Sequence, residues 1–234
     1  MLNSLLNSLS STPHEAHVWH TSLLASPEVL PQLQAALSQD ERARAARFKF
    51  ERDRQRYECA HAALRIVLAR YAHYAPNELQ FGANAFGKPH LTNAVGLHFN
   101  LSHSHDAAVI AVAHTEIGID IEAVRPLDDL LNMAQQFFCA DEAEALQQLP
   151  PAAQTQAFYR IWTRKEAYLK AIGTGLSTNL NEIRVPVGEQ AQVGVWEPLT
   201  ARLHVRELEA PLPYVCALVA GTVVQSVRRF TFAH

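Results

Sequence analysis

The chain has 234 residues, 48% hydrophobic and 18% charged, enough to bury a sizeable core as one large domain or two small ones. A balance of 20 Lys and Arg against 23 Asp and Glu gives a net charge of -3, which argues against a general nucleic-acid binder and makes any anion site local. The three cysteines, Cys59, Cys139 and Cys216, have no CxxC spacing; neither a disulfide framework nor a thiolate zinc site is expected, no apolar run is long enough to span a bilayer, and a reducing cytoplasm fits best.

In chain order, residues 1–15 read as a flexible leader whose leucines are broken by Asn and Ser and which lacks the basic start of a signal peptide. A strand is expected over 17–24. From Asp40 a charged stretch leads into a helix in which Tyr57, Ala60, Leu64, Val67, Leu68 and Tyr71 recur at helical spacing. Pro76, Gly82, Gly87 and Pro89 mark loops, after which LHFNLS (97–102) and AAVIAVA (107–113) read as strands joined by the turn HSHD. GIDIE (118–122) is the next strand. Pro126 and Asp128 then signal the start of a helix through LLNMAQQFF, a second short helix covers 141–149, and a long one runs over 153–172 to a stop at Gly173. Beyond Asn181 the segments IRVPV, LHVREL, YVCALVA and VRRFTF read as strands. Each half thus holds one long helix and several strands, which predicts an α+β fold of two similar α/β subdomains, 16–115 and 116–234, meeting near 114–117.

Chemistry concentrates in two places. In the GIDIE strand Ile117, Ile119 and Ile121 alternate with Gly118, Asp120 and Glu122, so one face is apolar and the other carries two acids. In WTRKEAYLK (162–170) residues four apart are neighbours on a helix, which lines up Trp162, Glu166 and Lys170. Three carboxylates and a lysine are the parts of a magnesium site that handles phosphate, although each piece alone also fits a solvated strand face or a surface ion pair. Between Asp40 and Arg56 stand Arg42, Arg44, Arg47, Lys49, Arg52, Arg54 and Arg56 against Asp40, Glu41, Glu51 and Asp53, a local excess of +3; guanidinium groups suit phosphate, and equally suit a helix face laced with ion pairs. Lys88 in GKPHL is a point charge in a tight loop or a surface turn. Ser102, His103 and His105 in FNLSHSHD could hydrogen-bond an anion, or the two histidines could ligate a transition metal.

Taken in order, ARFKFERDRQRY, GKPHL, FNLSHS, GIDIE, FFCADE and WTRKEAYLKAIGTGL resemble the 4'-phosphopantetheinyl transferase family, in its monomeric, double-length branch that activates peptide, polyketide and fatty acid synthases. The resemblance covers about residues 40–180. It implies a pseudo-dimer of the two subdomains within one chain, with the active site in the cleft between them. Asp120, Glu122 and Glu166 would bind Mg²⁺, with Mn²⁺ as a substitute, together with the pyrophosphate of coenzyme A, and Lys170 would neutralise the leaving phosphate. Arg47, Lys88, Ser102 and His103 would hold the 3'-phosphate and diphosphate, with Arg44 and Arg56 as further contacts; Glu142 matches another acidic position of the family. Two positions depart from the family pattern: His105 stands where Gly or Asp is usual, and Cys139 where Ser or Ala is common.

The activity so implied is transfer of the 4'-phosphopantetheine arm of coenzyme A to a serine hydroxyl of an apo acyl or peptidyl carrier protein, releasing adenosine 3',5'-bisphosphate. Glu166, or a water on the cation, would accept the serine proton. Carrier proteins of this kind are acidic, so a monomer with a net negative charge must dock them through a local surface, for which the segment after GIDIE, with Arg125 and an excess of apolar side chains, is the candidate. The alternatives are a non-catalytic coenzyme A or nucleotide-binding module, and a hydrolase built on a metal at His103 and His105.

Overall fold

The strand expected from His17 runs over Glu15–Ser22 (β1). In the computed structural model, which describes residues 11–187 and 196–234, most of the expected leader lies outside the described residues. The charged stretch after residue 39 divides into two helices, α2 (Gln39–Ala45) and α3 (Glu51–Ala72), preceded by a short α1 (Leu30–Ala36) that the sequence reading missed. A reciprocal cap starts α2: the Ser38 hydroxyl accepts from the Glu41 amide and the Glu41 carboxylate accepts from the Ser38 amide at 2.9 Å. The same carboxylate pairs with Arg65 and lies beside His61, both on α3, so it locks the two helices together.

Two small strands, β2 (Phe81–Ala83) and β3 (Pro89–Leu91), form a hairpin of their own. Next come β4 (His98–Ser104), β5 (Ala107–Ala113) and β6 (Ile117–Ala123). The β4–β5 turn is tighter than HSHD suggests: Ser104 already pairs with Ala107, and the tip is His105-Asp106. At the tip His105 has φ 49°, in the left-handed region where Gly and Asp are at ease, which gives a physical reason for the residues usual at this position. The three following helices are α4 (Leu130–Phe137), α5 (Ala140–Gln148) and α6 (Pro151–Ile172), the last closed by Gly173 at φ 71°. Asp129, not Asp128, occupies the position before α4, and its side chain makes no capping bond. Four strands complete the chain: β7 (Trp196–Pro198), β8 (Leu203–Leu208), β9 (Tyr214–Gly221) and β10 (Ser226–Phe232).

These strands form two four-stranded sheets, ordered β10-β1-β5-β4 and β6-β9-β8-β7. Alternation of side chains decides the layers. Trp19, Phe99, Ile110 and Val112 face α1 and α3 in one core, whereas Val18, Val109 and Ala111 face Ile117, Ile119, Ile121 and Leu218 of the second sheet in another. On the far side of the second sheet Val205, Ala217 and Val219 meet Ala167 and Ala171 of α6. The molecule is therefore a mixed α/β stack of helix, sheet, sheet and helix. α3 and α6 are each 22 residues long. The C-terminal strand β10 pairs with β1 in parallel, so the stretch 116–234 does not close on itself but adds its last strand to the first sheet.

IRVPV is not a strand in the structure, a correction with a clear cause. Its backbone groups are taken by buried side chains: Val185 N–H donates to Glu142 Oε1 at 2.7 Å, Ile183 C=O accepts from Lys165 and Pro186 C=O accepts from Arg164 at 2.6 Å. A segment whose polar groups are satisfied this way has no need of a ladder.

Candidate active site

Gly118, Asp120 and Glu122 share the face of β6 that looks at α6. Gly118 is the contact point: a Cβ there would stand 2.1 Å from Ala167 O and 2.3 Å from Ala171 N, so only glycine lets the helix backbone lie on the strand. Set down this closely, α6 brings Lys170 Nζ to 2.6 Å from Asp120 Oδ1 and 3.0 Å from Ser102 Oγ. The Ser102 hydroxyl in turn donates to Asp120 Oδ1 at 2.8 Å. Asp120 is 2% exposed, and its Oδ2 is buried with no hydrogen-bond partner. Glu122 Oε2 accepts from the Ser104 hydroxyl at 2.8 Å.

Burial raises the pKa of all three carboxylates. For Asp120, desolvation outweighs Lys170 and Ser102; for Glu122, burial acts with the charges of Asp120 and Glu166 against the Ser104 bond; for Glu166, burial and Asp120 outweigh Lys170. The three acids thus stand near enough to repel one another in a poorly solvated place, where a positive charge would relieve the strain. They are not a finished ligand set. Among the described residues no three acids, histidines or cysteines are gathered closely enough to hold an ion, and the Lys170 ammonium sits on the one Asp120 oxygen that has partners. The donor chemistry nevertheless fits a hard divalent cation: oxygen ligands only, one of them an orphan, with a lysine whose flexible stem can turn away.

A cationic rim adjoins the acids. His103 reaches the surface, yet the protein around its ring holds its pKa down, helped by His61, Lys170 and Arg56 and opposed by Asp120. Arg56 Nε donates to Asp106 Oδ1 at 2.9 Å and so ties α3 to the β4–β5 tip. From His61 the ring of Tyr57 leads on at 4.1 Å between centroids, and Arg44 lies over Tyr57 at 5.5 Å. Arg44 and Arg47 are exposed and border, with Phe48 and Asp40, a cavity of about 640 Å³.

Two expected phosphate contacts have other duties in the structure. Lys88 Nζ donates to Ile117 O at 3.1 Å and Ala171 O at 2.7 Å, while Asn84 of the same loop donates to Gly173 O at 2.8 Å; the lysine clamps the loop onto the end of α6 instead of standing free for an anion, because buried carbonyls at a helix end demand donors. Ser102 is 5% exposed and engaged with Asp120, Lys170 and the Ile121 amide, so in this structure it holds the acid. His103 and His105 do not converge: His105 stands at the turn tip, and no described group of ligating residues includes them. Glu142, left without a role by the sequence, is 1% exposed, caps α5 through the Cys139 amide at 2.8 Å and pairs with fully buried Lys165 at 2.6 Å.

Sequence reasoning missed Ser104, Asn100 and the packing demand at Gly118. The signal for the first two was present: Asn100, Ser102 and Ser104 are three polar residues of one parity on a strand, facing a side that the fold buries.

Two family profiles match the chain that carries these residues. A profile of the 4'-phosphopantetheinyl transferase superfamily matches residues 116–219, and one of the 4'-phosphopantetheinyl transferase N-terminal region matches residues 24–115. The chain belongs to the 4'-phosphopantetheinyl transferase family. Among curated relatives it is 42% identical over 175 residues to the 4'-phosphopantetheinyl transferase HetI of Nostoc sp., covering 73% of each chain. It is 34% identical to 4'-phosphopantetheinyl transferase psf-1 of Bacillus pumilus, over 78% of this chain and 74% of that one. With 4'-phosphopantetheinyl transferase Sfp of Bacillus subtilis it shares 30% identity over 74% of this chain and 76% of the relative.

Proposed function

We propose that Asp120, Glu122, Glu166 and Lys170 form the centre at which the chain transfers 4'-phosphopantetheine from coenzyme A to a carrier-protein serine. The observation that carries this reading is the buried, unpartnered Oδ2 of Asp120 among three acids of raised pKa, with Lys170 held directly on the site. In the reaction the serine oxygen forms a bond to the β-phosphorus of coenzyme A, and the bond from that phosphorus to the bridging oxygen breaks, releasing adenosine 3',5'-bisphosphate. A divalent cation, Mg²⁺ or Mn²⁺, held by the three carboxylates would supply positive charge for the pyrophosphate. Glu166, with its raised pKa and no hydrogen bond from the described residues, accepts the serine proton. Lys170 exchanges Asp120 for the departing phosphate and neutralises its new charge. Arg44 and Arg47 bind a phosphate of coenzyme A at their cavity, and His103 and Arg56 line the path from there to the acids.

Two halves, the first sheet with α3 and the second with α6, pack as a pseudo-dimer within one chain, with β10 as the exception that crosses back; the site lies at the junction of β4 and β6. Acidic carrier proteins dock beside α4, where Arg125 is exposed and Leu131, Phe138, Cys139 and Ala143 line a groove of about 450 Å³. No helix of the described residues is long and apolar enough to cross a membrane; the reading takes the enzyme to act as a monomer in the cytoplasm. Incubating the protein with coenzyme A, Mg²⁺ and an apo carrier, then weighing the carrier by mass spectrometry, tests the reading. Gain of the phosphopantetheine arm, abolished by chelation, is expected; a carrier that stays unmodified while coenzyme A binds would mark a binding module instead.

A further inference from the structure

The edge of β6 that faces β4 carries no backbone ladder. In the sheet orders both strands are outermost members, yet their facing edges lie together, and the amides of Ile119, Ile121 and Ala123 are met by β4 side chains. Asn100 Oδ1 accepts from Ile119 N–H at 2.8 Å, Ser102 Oγ from Ile121 N–H at 3.4 Å and Ser104 Oγ from Ala123 N–H at 3.1 Å. A hydroxyl has one hydrogen to give. With a backbone amide directed at its oxygen, each serine sends that hydrogen to the neighbouring carboxylate, Ser102 to Asp120 and Ser104 to Glu122, both at 2.8 Å. Asn100 performs the backbone half of the task with no acid to orient.

We infer that Ser104 is a positioning residue of the proposed metal centre: fixed by the Ala123 amide, its hydroxyl locks the rotamer of Glu122 so that the carboxylate presents its other oxygen to the ion. The inference rests on the assignment of Glu122 as a ligand. Hydrogen bonds to a ligating carboxylate from the surrounding shell hold it in place, and losing one costs about 10–100-fold in metal affinity. The seam thereby joins two tasks, bonding the edges of the two sheets and setting the geometry of the site between them.

The test measures Mn²⁺ binding to the full chain by electron paramagnetic resonance, with thermal melting alongside. Ser104→Ala is expected to weaken Mn²⁺ binding at least about tenfold, and Ser104→Thr, which keeps the hydroxyl, to restore most of it. Asn100→Ser, which disturbs the seam at a position that touches no carboxylate, is expected to lower the melting temperature while leaving Mn²⁺ affinity within about twofold. Unchanged affinity in Ser104→Ala, when Glu122→Gln has lost it, would overturn the inference alone. Equal affinity in wild type and Glu122→Gln would remove the metal assignment and the inference with it. An equal loss in Asn100→Ser and Ser104→Ala would reduce the serine to a structural seam residue and also overturn it.

Discussion

At Gly118 the backbone of α6 fills the space where a side chain would be, and the obstacle to a methyl group is main-chain atoms that cannot rotate away. Gly118→Ala must therefore lift α6 from β6, at a cost of roughly 1–3 kcal/mol in stability, the usual range for overpacking. Because Glu166 and Lys170 ride on that helix, turnover should fall at least about a hundredfold, as for other small misplacements of reacting groups; a melting curve and a transfer assay on the same variant read both effects. The acids themselves also act on stability. Glu166 is raised from an ordinary value of 4.5 by burial and by Asp120, so the folded state holds its proton more tightly than the unfolded chain. Its ionisation thus costs nothing below the ordinary value and works against folding as pH rises through the raised one. Glu166→Gln should melt higher than wild type near neutral pH and lose that advantage in acid. Denaturant titrations across pH would show this, and a variant less stable than wild type at pH 7 would contradict it.

At the scale of elements, four basic residues of α6 take acids from elsewhere: Lys170 takes Asp120, Lys165 takes Glu142, and Arg160 and Arg164 share Glu207 at 2.8 and 2.7 Å. The Lys165–Glu142 pair is almost fully buried and also holds the 180–187 segment through Leu180 O at 2.9 Å and Val185 N–H. Lys165→Met would strand the Glu142 charge, at a cost on the order of 3–5 kcal/mol. The double variant Glu142→Gln, Lys165→Met should lose less than the two single losses summed, which a double-mutant cycle by urea unfolding would measure. This network explains where the sequence was and was not legible. Alternation along β6 and the four-residue spacing in α6 marked the acids and Lys170 because strand and helix periodicity depend on local chain alone. The misread IRVPV strand and the clamp made by Lys88 depend on buried partners far away in the chain, Lys88 and Ala171 being 83 residues apart. Periodicity carries no information about such partners. The same holds for Ser104, whose polar parity was visible but whose partners exist only once the two sheet edges meet.

For the whole molecule the net charge of -3 means that attraction of an acidic partner has to come from a local patch. The proposed docking surface beside α4 offers exposed Arg125 and half-buried Leu127, Leu131 and Met133, but also exposed Asp128 and Asp129, so it rests on one cation and on apolar contact, not on a net positive patch. Arg125→Glu should raise the KM for carrier several-fold while leaving affinity for coenzyme A within about twofold, since only the contact with the protein partner is reversed in sign. Steady-state kinetics with carrier varied, and calorimetry with coenzyme A, separate the two. A loss confined to coenzyme A would place this segment in the nucleotide site.

Whether transfer depends on the carboxylates gathered beneath α6 is measured most directly by the rate of phosphopantetheinylation of an apo carrier by wild type, Asp120→Asn and Glu166→Gln, followed by mass spectrometry in Mg²⁺. Wild type should load the carrier, and each variant, still folded by circular dichroism, should turn over at least about a hundredfold more slowly, as expected on losing a charge-stabilising or proton-accepting group. Turnover near the wild-type rate in both variants would contradict the assignment of the site.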